Sequence, residues 1–333
     1  MSLIIPENYK SNLNGRETEK AIKFIKDTFQ HEIISALNLQ RISAPLFVRP
    51  ETGLNDNLNG VERPVSFDAP CIGGATLEIV HSLAKWKRMT LGRYGFNPGE
   101  GLYTDMNAIR RDEEVDNLHS MYVDQWDWEA VINKSDRTVE TLKRFVERIY
   151  TAMKSSRVCQ KFSGIENNFP EEITFITTQE LEDMYPDLEP KERENKLLRE
   201  KKAVFLMQIG KALKSGQRHD GRAPDYDDWE LNGDILVYYP VLDMAYELSS
   251  MGIRVDEDSL LSQIKIAGCE DRLELDFHKK LLNKELPYTI GGGIGQSRLC
   301  MYMLGKAHIG EVQASVWPDD MRKTCEENGI KLL

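Results

Sequence analysis

The chain has 333 residues, of which 41% are hydrophobic and 29% are charged, and its formal net charge at pH 7 is −11. This length is sufficient for one large hydrophobic core, and no apolar run approaches the roughly 18 residues of a membrane span. Nucleic-acid affinity depends on cations that neutralise phosphates, so the acidic balance argues against a nucleic-acid partner. The N-terminal apolar run is too short for a signal peptide, and the five scattered cysteines form no C-x-x-C pair. Together these features predict a cytoplasmic protein with reduced thiols and no membrane partner.

Hydrophobic spacing predicts the secondary structure along the chain. The first helix is predicted from the spacing of apolar residues at steps of three and four, namely Ile22, Ile25, Phe29, Ile33 and Leu37. No internal repeat is present. In chain order, the predicted elements are a helix over 16–38, a strand over 41–48 that contains Pro45, a loop over 51–60, a strand over 75–80, a helix over 82–91, a strand over 118–129, a helix over 135–158, a strand over 173–178, a helix over 190–202, a strand over 203–209, a loop over 215–234, a strand pair over 235–250, helices over 257–267 and 270–284, and a last strand over 312–317.

The strands cluster without the regular strand–helix alternation that builds parallel sheets. This favours an α+β fold in which a mainly antiparallel β-sheet is flanked by helices, within a single domain over 1–333.

The predicted strand over 118–129 has an unusual pattern of side chains. Gln125, Asp127 and Glu129 share one face of it, whereas Trp126 and Trp128 share the other. Because a sheet face packed on apolar core would not carry an amide and two carboxylates, we predict a polar site on this face.

The stretch YTIGGGIGQSRLCMYMLG at 288–305 places a glycine run before an apolar helical segment. A P-loop requires a lysine followed by serine or threonine where Gln296, Ser297 and Arg298 stand. The dinucleotide-binding pattern requires a third glycine that is missing here. Two interpretations remain open. The run is a tight strand-to-helix turn, or it binds an anion at the helix N-terminus, where Arg298 adds a fixed positive charge.

Further polar clusters accompany the glycine run. The arginine–acid turn at 110–113 either binds phosphate through its guanidinium groups or faces solvent. Asp234 and Glu247 are either exposed strand ends or the pair of carboxylates that Mg²⁺ uses near phosphates. The acidic loop at 225–228 is either solvated or a weak calcium site. The histidines near these clusters show no zinc-ligand spacing and are interpreted as hydrogen-bonding residues, namely His81, His119 and His219.

In this order, the arginine–acid turn, the polar strand, the acidic pair and the G-G-G-x-G-x-x-R run resemble the catalytic core of class II aminoacyl-tRNA synthetases, in particular the aspartyl and asparaginyl branch. The helix over 16–38 and the following strand look like that family's first motif, which builds its dimer interface. The match is closer to a smaller relative, the ammonia-dependent asparagine synthetases, or aspartate–ammonia ligases. The strings that carry this resemblance are DNLNG at 56–60, VHSLAKWKR at 80–88, GEGLYTDM at 99–106, LHSMYVDQWDWE at 118–129, RAPDYDDW at 222–229, LNGDILV at 231–237, ELSSMGIRVD at 247–256 and TIGGGIGQSRL at 289–299.

The resemblance implies a class II aminoacyl-tRNA synthetase-like fold and a ligase of asparagine biosynthesis. Its substrates would be L-aspartate, ammonia and ATP, its cofactor Mg²⁺, and its products L-asparagine, AMP and diphosphate. The β-carboxylate would first be joined to AMP, because the resulting β-aspartyl-AMP has a good leaving group that ammonia can displace. The resemblance further implies a cytoplasmic homodimer that binds neither nucleic acid nor membrane.

The resemblance also implies roles for individual residues. Arg110 would hold the α-phosphate, Arg298 the triphosphate end and the adenine, and Asp234 with Glu247 the Mg²⁺. The other nucleotide-binding residues would be Leu118, His119, Leu248, Ser249 and Gly295. The aspartate-binding residues would be Asp56, Ser82, Lys87, Gln125, Asp127, Ser249, Arg254, Gly292 and Gly293, although Lys87 is alternatively a surface residue of a basic helix. The catalytic residues would be Asp56, Arg110, Gln125, Asp227 and Arg298, with Asp227 receiving the ammonium ion and its proton.

Two other functions fit parts of the sequence. A synthetase paralogue would aminoacylate a tRNA or another acceptor. The net charge of −11 argues against it, and so does the core motif at the start of the chain, ahead of which we expect no anticodon-binding domain. A non-catalytic binding module would have lost Arg110, Glu247 or Arg298, and the chain retains all three.

Overall fold

The structure of the protein is a computed structural model that describes residues 3–58, 60–155, 158–166 and 168–333. The end of the predicted helix over 135–158, at 156–157, and Asn59 of the string DNLNG lie outside the described residues. The strands are β1 (Leu39–Arg41), β2 (Phe47–Val48), β3 (Ser66–Ala69), β4 (Ala75–Ile79), β5 (Gly101–Ile109), β6 (Tyr122–Val131), β7 (Thr174–Thr177), β8 (Ala203–Met207), β9 (Asp227–Tyr239), β10 (Met244–Arg254) and β11 (Thr289–Gly295). The helices are α1 (Gly15–Leu37), α2 (Ala84–Tyr94), α3 (Val139–Lys154), α4 (Val158–Lys161), α5 (Thr178–Met184), α6 (Pro190–Lys201), α7 (Glu257–Ala267), α8 (Asp276–Leu282), α9 (Gln296–Leu304) and α10 (Asp319–Glu327).

Eight strands form the main sheet in the order β1-β5-β6-β11-β10-β9-β8-β7. The outermost pairs, β1–β5 and β7–β8, are parallel, and the pairs between them are antiparallel. A smaller sheet contains β2, β4 and β3 in antiparallel order. The prediction of an α+β fold with a mainly antiparallel sheet is therefore confirmed.

The largest core lies between one face of the main sheet and the helices α1, α3 and α9. Trp126 on β6 packs against Phe29 of α1 with ring centroids 4.7 Å apart, and Trp128 stacks on Phe145 of α3 at 5.9 Å. Because side chains alternate between the two faces of a strand, the intervening polar residues of β6 point away from this core. The predicted division of the strand into an aromatic face and a polar face is confirmed.

Local sequence fixes both ends of α1. The Asn14 side chain accepts a hydrogen bond from the N–H of Glu17, and the Glu17 carboxylate accepts one from the N–H of Asn14, which forms a capping box. The helix ends at Leu37 because Asn38 adopts a φ of 54°, a left-handed conformation that asparagine tolerates. The predicted helix over 16–38 is confirmed to within one residue at each end.

Several predicted strand boundaries are wrong. The segment 41–48 is not one strand, because β1 ends at Arg41 in the main sheet and β2 begins at Phe47 in the small sheet. Pro45 lies between them and has no N–H to donate to a sheet. The strand predicted over 312–317 is absent, because this described segment follows a short 3-10 turn at Ile309–Glu311 and is irregular.

The predicted loop over 215–234 is wrong beyond residue 226, because β9 begins at Asp227 and lies inside the main sheet. Its polar residues suggested a solvated loop, but they are buried and paired. Asp227 bonds to Arg254, and Asp228 bonds to Arg137 at 2.6 Å. Partners from distant segments therefore allow a hydrophilic stretch to form part of a central strand.

The glycine run is a strand and not a turn. Gly291–Gly293 lie within β11, between β6 and β10, and none of them has a positive φ. A Cβ on Gly291 would overlap the carboxylate of Glu129, and a Cβ on Gly293 would overlap the side-chain amide of Gln125. Glycine is therefore required here by the close approach of neighbouring side chains, and the tight-turn interpretation is wrong.

Cys71, Cys269, Cys300 and Cys325 are free thiols, and the side chain of Cys159 lies outside the described residues. Burial raises the pKa of Cys300 to about 12, so this thiol stays protonated near neutral pH. Among the described helices, none is both long and apolar enough to cross a membrane.

Replacing Gly291 with alanine tests the explanation of the glycine run. The added methyl group overlaps the Glu129 carboxylate, which a buried bond to Arg254 holds in place. We expect the free energy of unfolding to fall by about 2 kcal/mol, as in other overpacked cores, when measured by urea denaturation. Gly15→Ala is the control, because a Cβ at Gly15 has no neighbour within 4 Å. Equal stability of the two variants would contradict the explanation.

Candidate active site

A cavity of about 460 Å³ lies over the polar face of β6, β11 and β10. Its walls include the loop residues Asp56, Leu58 and Glu62 and those at 110–113 and 220–223. Most of the predicted site residues line it, namely Asp56, Ser82, Arg110, Leu118, His119, Gln125, Asp127, Asp227, Glu247, Leu248, Arg254, Gly292, Gly293, Gly295 and Arg298. The other three, which are Lys87, Asp234 and Ser249, are not among the residues that line it.

Two arginines that are distant in the chain line one end of the cavity, where both interact with the charge of Glu113. Arg110 follows β5 in the predicted turn, and its Nη1 lies 3.9 Å from the Glu113 carboxylate. Arg298 lies in the first turn of α9, and its Nη1 lies 3.1 Å from the main-chain oxygen and 3.4 Å from the carboxylate of Glu247. The buried Nε of Arg110 has no hydrogen-bond partner among the residues that the structure describes. This end of the cavity therefore presents N–H donors suited to an anion.

Leu118 and His119 lie on a tight turn beside the arginines. The N–H groups of both residues donate to Oδ1 of Asp116, at 2.7 and 2.8 Å. Burial raises the pKa of Asp116, but hydrogen bonds from His119 and Leu118 outweigh it and bring the pKa to about 2. The neighbouring Asn117 side chain accepts from the N–H of Ile4 at 2.7 Å and donates to its carbonyl at 2.8 Å. These bonds make the turn a fixed wall of the cavity.

The acidic pair lies on two neighbouring strands. Asp234 on β9 and Glu247 on β10 flank a bulge in the pairing of these strands. Arg222 donates to Asp234 at 2.6 Å. Burial raises the pKa of Asp234, Arg222 opposes this effect, and the nearby Glu247 carboxylate adds to the rise, so that the pKa reaches about 6. The interpretation as two exposed strand ends is wrong for Asp234, whose side chain is only 15% exposed.

Buried charges alternate along the floor at the other end of the cavity. Lys87 donates to Asp127 and lies 3.5 Å from Glu129, while Arg254 donates to Glu129 at 2.7 Å and also to Asp227. None of these side chains is more than 4% exposed. Burial works against ionisation of Glu129, yet Arg254 and Lys87 hold its pKa below the usual value. The floor therefore consists of charged side chains that are almost fully buried and paired with one another.

Three of the predicted aspartate-binding residues already form hydrogen bonds within the protein at this floor. The Nζ of Lys87 lies under β11 and is 3.4 Å from the main-chain oxygen of Gly292, so the alternative that Lys87 is a surface residue is wrong. The hydroxyl of Ser249 donates to the carbonyl of Gly293 at 3.0 Å. Arg254 lines the cavity, but it donates to two floor carboxylates.

Some residues that line the cavity had no role assigned from the sequence. The hydroxyl of Tyr226 donates to Oδ2 of Asp56 at 3.0 Å, and Arg222 pairs with the acidic strand residue Asp234. Both residues belong to the string RAPDYDDW, which was the signal in the sequence that could have identified them. The string does not show which of its residues face the cavity, because that depends on partners elsewhere in the chain. The other such residues include His81 and Asp220.

Known proteins match this chain over nearly its whole length. A model of the aspartate–ammonia ligase family matches residues 16–329. The aspartate–ammonia ligase of Ruminiclostridium cellulolyticum is 69% identical over 334 residues, which span 100% of this chain and 99% of the relative. That of Clostridium tetani is 64% identical and aligns with 99% of this chain and 98% of the relative.

Among solved structures, asparaginyl-tRNA synthetase of Entamoeba histolytica in complex with asparaginyl-adenylate matches with a TM-score of 0.63 and 12% identity. The match covers 90% of this chain and 66% of that one. At such low identity the likeness shows the fold, which is that of the class II aminoacyl-tRNA synthetase core. The family model and the full-length relatives show that the chain belongs to the aspartate–ammonia ligase family.

Proposed function

We propose that the protein joins ammonia to the β-carboxylate of L-aspartate at the expense of ATP, through β-aspartyl-AMP, and releases L-asparagine, AMP and diphosphate. One observation carries this proposal. A single cavity holds an arginine-rich end and a buried, charged floor, in a chain that aligns over its full length with aspartate–ammonia ligases. The first end suits the phosphates of ATP, and the second suits a small zwitterion.

The two-step route follows from the chemistry of a carboxylate. Its negative charge repels nucleophiles, so the β-carboxylate of aspartate does not react with ammonia directly. Attack of this carboxylate on the α-phosphate of ATP forms a mixed anhydride and releases diphosphate. Charge then develops on phosphate and carbonyl oxygens, and catalysis consists mainly of positioning and charge stabilisation.

The arginines supply that stabilisation in the proposal. Arg110, whose Nε is buried without a partner among the described residues, has free donors for the α-phosphate. Arg298 binds the triphosphate end and covers the adenine, with Leu118 and His119 beside the nucleotide. Leu248 and Gly295 line the same part of the cavity.

A divalent metal is implied for an ATP-using ligase, and we assign it as Mg²⁺ held by Asp234 and Glu247. The donor set fits, because Mg²⁺ prefers one or two carboxylate oxygens together with water and phosphate. Burial raises the pKa of Asp234, Arg222 opposes this effect and the second carboxylate adds to it, and a bound cation would favour the ionised form. When bound, the ion would neutralise charge on the phosphates.

The aspartate substrate occupies the floor. Its ammonium group is held by Asp56 and Asp127, and its carboxylates face Ser82, Gln125 and the positive charges beneath. Gly292 and Gly293 line the cavity with their backbone, because a Cβ on Gly292 would overlap Met251 and a Cβ on Gly293 would overlap the Gln125 side chain. Lys87 and Ser249 act from behind by supporting β11. Asp227 receives the ammonium ion.

We further propose that residues 1–333 form one catalytic domain that works as a cytoplasmic homodimer. The alignment with 99% of an aspartate–ammonia ligase supports the single domain. Leu46 and Phe47, which lie in the segment that resembles a dimer-building motif, and Phe67 of the small sheet are exposed at 47%, 45% and 40% of their surface. An exposed apolar patch of this kind is typical of an interface.

Product analysis with isotopically labelled ammonium tests the proposed function. The protein, ATP and L-aspartate should yield labelled asparagine together with AMP and diphosphate. Formation of ADP, or absence of the label from the amide, would contradict the proposal. In parallel reactions, glutamine should be a poor nitrogen donor and bulk tRNA should not become aminoacylated.

Replacing Arg298 with alanine should lower kcat/KM by roughly two orders of magnitude, because loss of one positioned donor to developing charge costs about 3 kcal/mol. Steady-state kinetics with varied ATP measure the effect. Arg199→Ala is the control, since Arg199 forms an exposed pair with Asp243 outside the cavity. Near-normal turnover of the Arg298 variant would mean that the phosphates bind elsewhere.

A further inference from the structure

His81 is a buried histidine of the cavity wall with one ring nitrogen unpaired. The residue lines the cavity and is 1% exposed. Its main-chain N–H donates to Oδ1 of Asn55 at 2.9 Å, and its Nδ1 lies 3.0 Å from the main-chain oxygen of Asp56. Its Nε2 is buried and has no hydrogen-bond partner within the described part of the chain. Such atoms are rare in folded proteins and require an explanation.

The contact with Asp56 fixes the tautomer of the His81 ring. A main-chain carbonyl oxygen can only accept a hydrogen bond, so Nδ1 carries the ring proton and donates it. In the neutral ring, Nε2 then bears a lone pair. His81 therefore places a proton acceptor in the cavity wall, and its two bonds to the 55–56 segment hold it there.

The carboxylates nearby are already shared with other groups. From the resemblance, Asp227 is expected to take the ammonium proton. Its carboxylate is already paired with Arg254 and lies 3.9 Å from Arg222, so both arginines compete for its lone pairs. Asp56 accepts from the hydroxyl of Tyr226 at 3.0 Å. These carboxylates can attract and orient a cation, whereas the lone pair of Nε2 is not shared with any described residue.

We propose that His81 is the general base that deprotonates ammonium, a role that depends on the proposed function. One proton of NH₄⁺ moves to the lone pair of Nε2, which leaves NH₃ and an imidazolium ring. The lone pair of NH₃ attacks the β-carbonyl carbon of β-aspartyl-AMP and forms the C–N bond. The C–O bond to the phosphate breaks, and AMP leaves with the electron pair. The nitrogen then loses its extra proton to solvent, which gives the amide.

The substitution His81→Asn separates this role from a structural one. Nδ2 of asparagine lies as many bonds from Cα as Nδ1 of histidine, so it can keep the hydrogen bond to Asp56. It offers no proton acceptor in place of Nε2. We expect ammonium-dependent asparagine formation to fall by about 100-fold, the lower end of the effect of a general base. A rate within threefold of the unaltered protein would overturn the proposal.

Hydroxylamine provides the decisive comparison, because it is largely unprotonated near neutral pH and needs no base before it attacks. The His81→Asn variant should form β-aspartyl hydroxamate at nearly the unaltered rate while it fails with ammonium. An equal loss with both nucleophiles would assign His81 a structural role and overturn the proposal. His219→Asn is the matched control, since His219 is buried outside the cavity lining, and it should leave the ratio of the two rates unchanged.

The first half-reaction distinguishes failure of this proposal from failure of the proposed function. Aspartate-dependent exchange of radiolabelled diphosphate into ATP, measured without ammonium, reports adenylate formation alone. The unaltered protein and His81→Asn should both catalyse it at similar rates. Absence of exchange in the unaltered protein would refute β-aspartyl-AMP as the intermediate, whereas loss only in the variant would refute the role of His81.

Discussion

The buried ion pair between Glu129 and Arg254 is the interaction on which the cavity floor depends. Arg254 bonds to both carboxylate oxygens, at 2.9 and 2.7 Å, and the hydroxyl of Thr289 donates to the same carboxylate at 2.7 Å. Burial of two charges is costly, and removal of one partner leaves the other uncompensated, at about 3–5 kcal/mol. The pair therefore cannot be altered in isolation. It also explains why β11 lacks a side chain at Gly291, where a Cβ would overlap the carboxylate.

The same floor explains why the cavity suits a substrate with positive groups. The cations Lys87 and Arg254 form ion pairs with the floor carboxylates, so the charges are ordered as a chain. Two cations face three carboxylates, which are Asp127, Glu129 and Asp227. The excess negative charge is complementary to the ammonium group of aspartate and to free ammonium. At the other end, Arg110 and Arg298 are positively charged, and under the proposed function this charge would be complementary to the phosphates of ATP.

Short-range patterns predicted much of the fold, and long-range contacts account for the errors. The alternation in β6 identified both its aromatic face and its polar face, because a strand has a period of two. The glycine run was ambiguous, since glycine serves both turns and close approaches. What decides between them is Glu129, which lies far away in the chain but directly beside Gly291. The start of β9 was missed for a related reason, because its carboxylates are buried only through arginines from other segments.

The prediction of site residues had the same physical limit. A resemblance can indicate which residues gather at a cavity, but hydrogen bonds decide which of their atoms are free. Lys87 and Ser249 are engaged with the backbone of β11, whereas Arg110 and His81 keep unpaired nitrogens among the described contacts. β11 links these parts, because its glycines form the floor and its last residue leads directly into the helix that carries Arg298. Under the proposed function, β11 would therefore run from the aspartate to the phosphates, and its backbone would position the attacking carboxylate against the α-phosphorus.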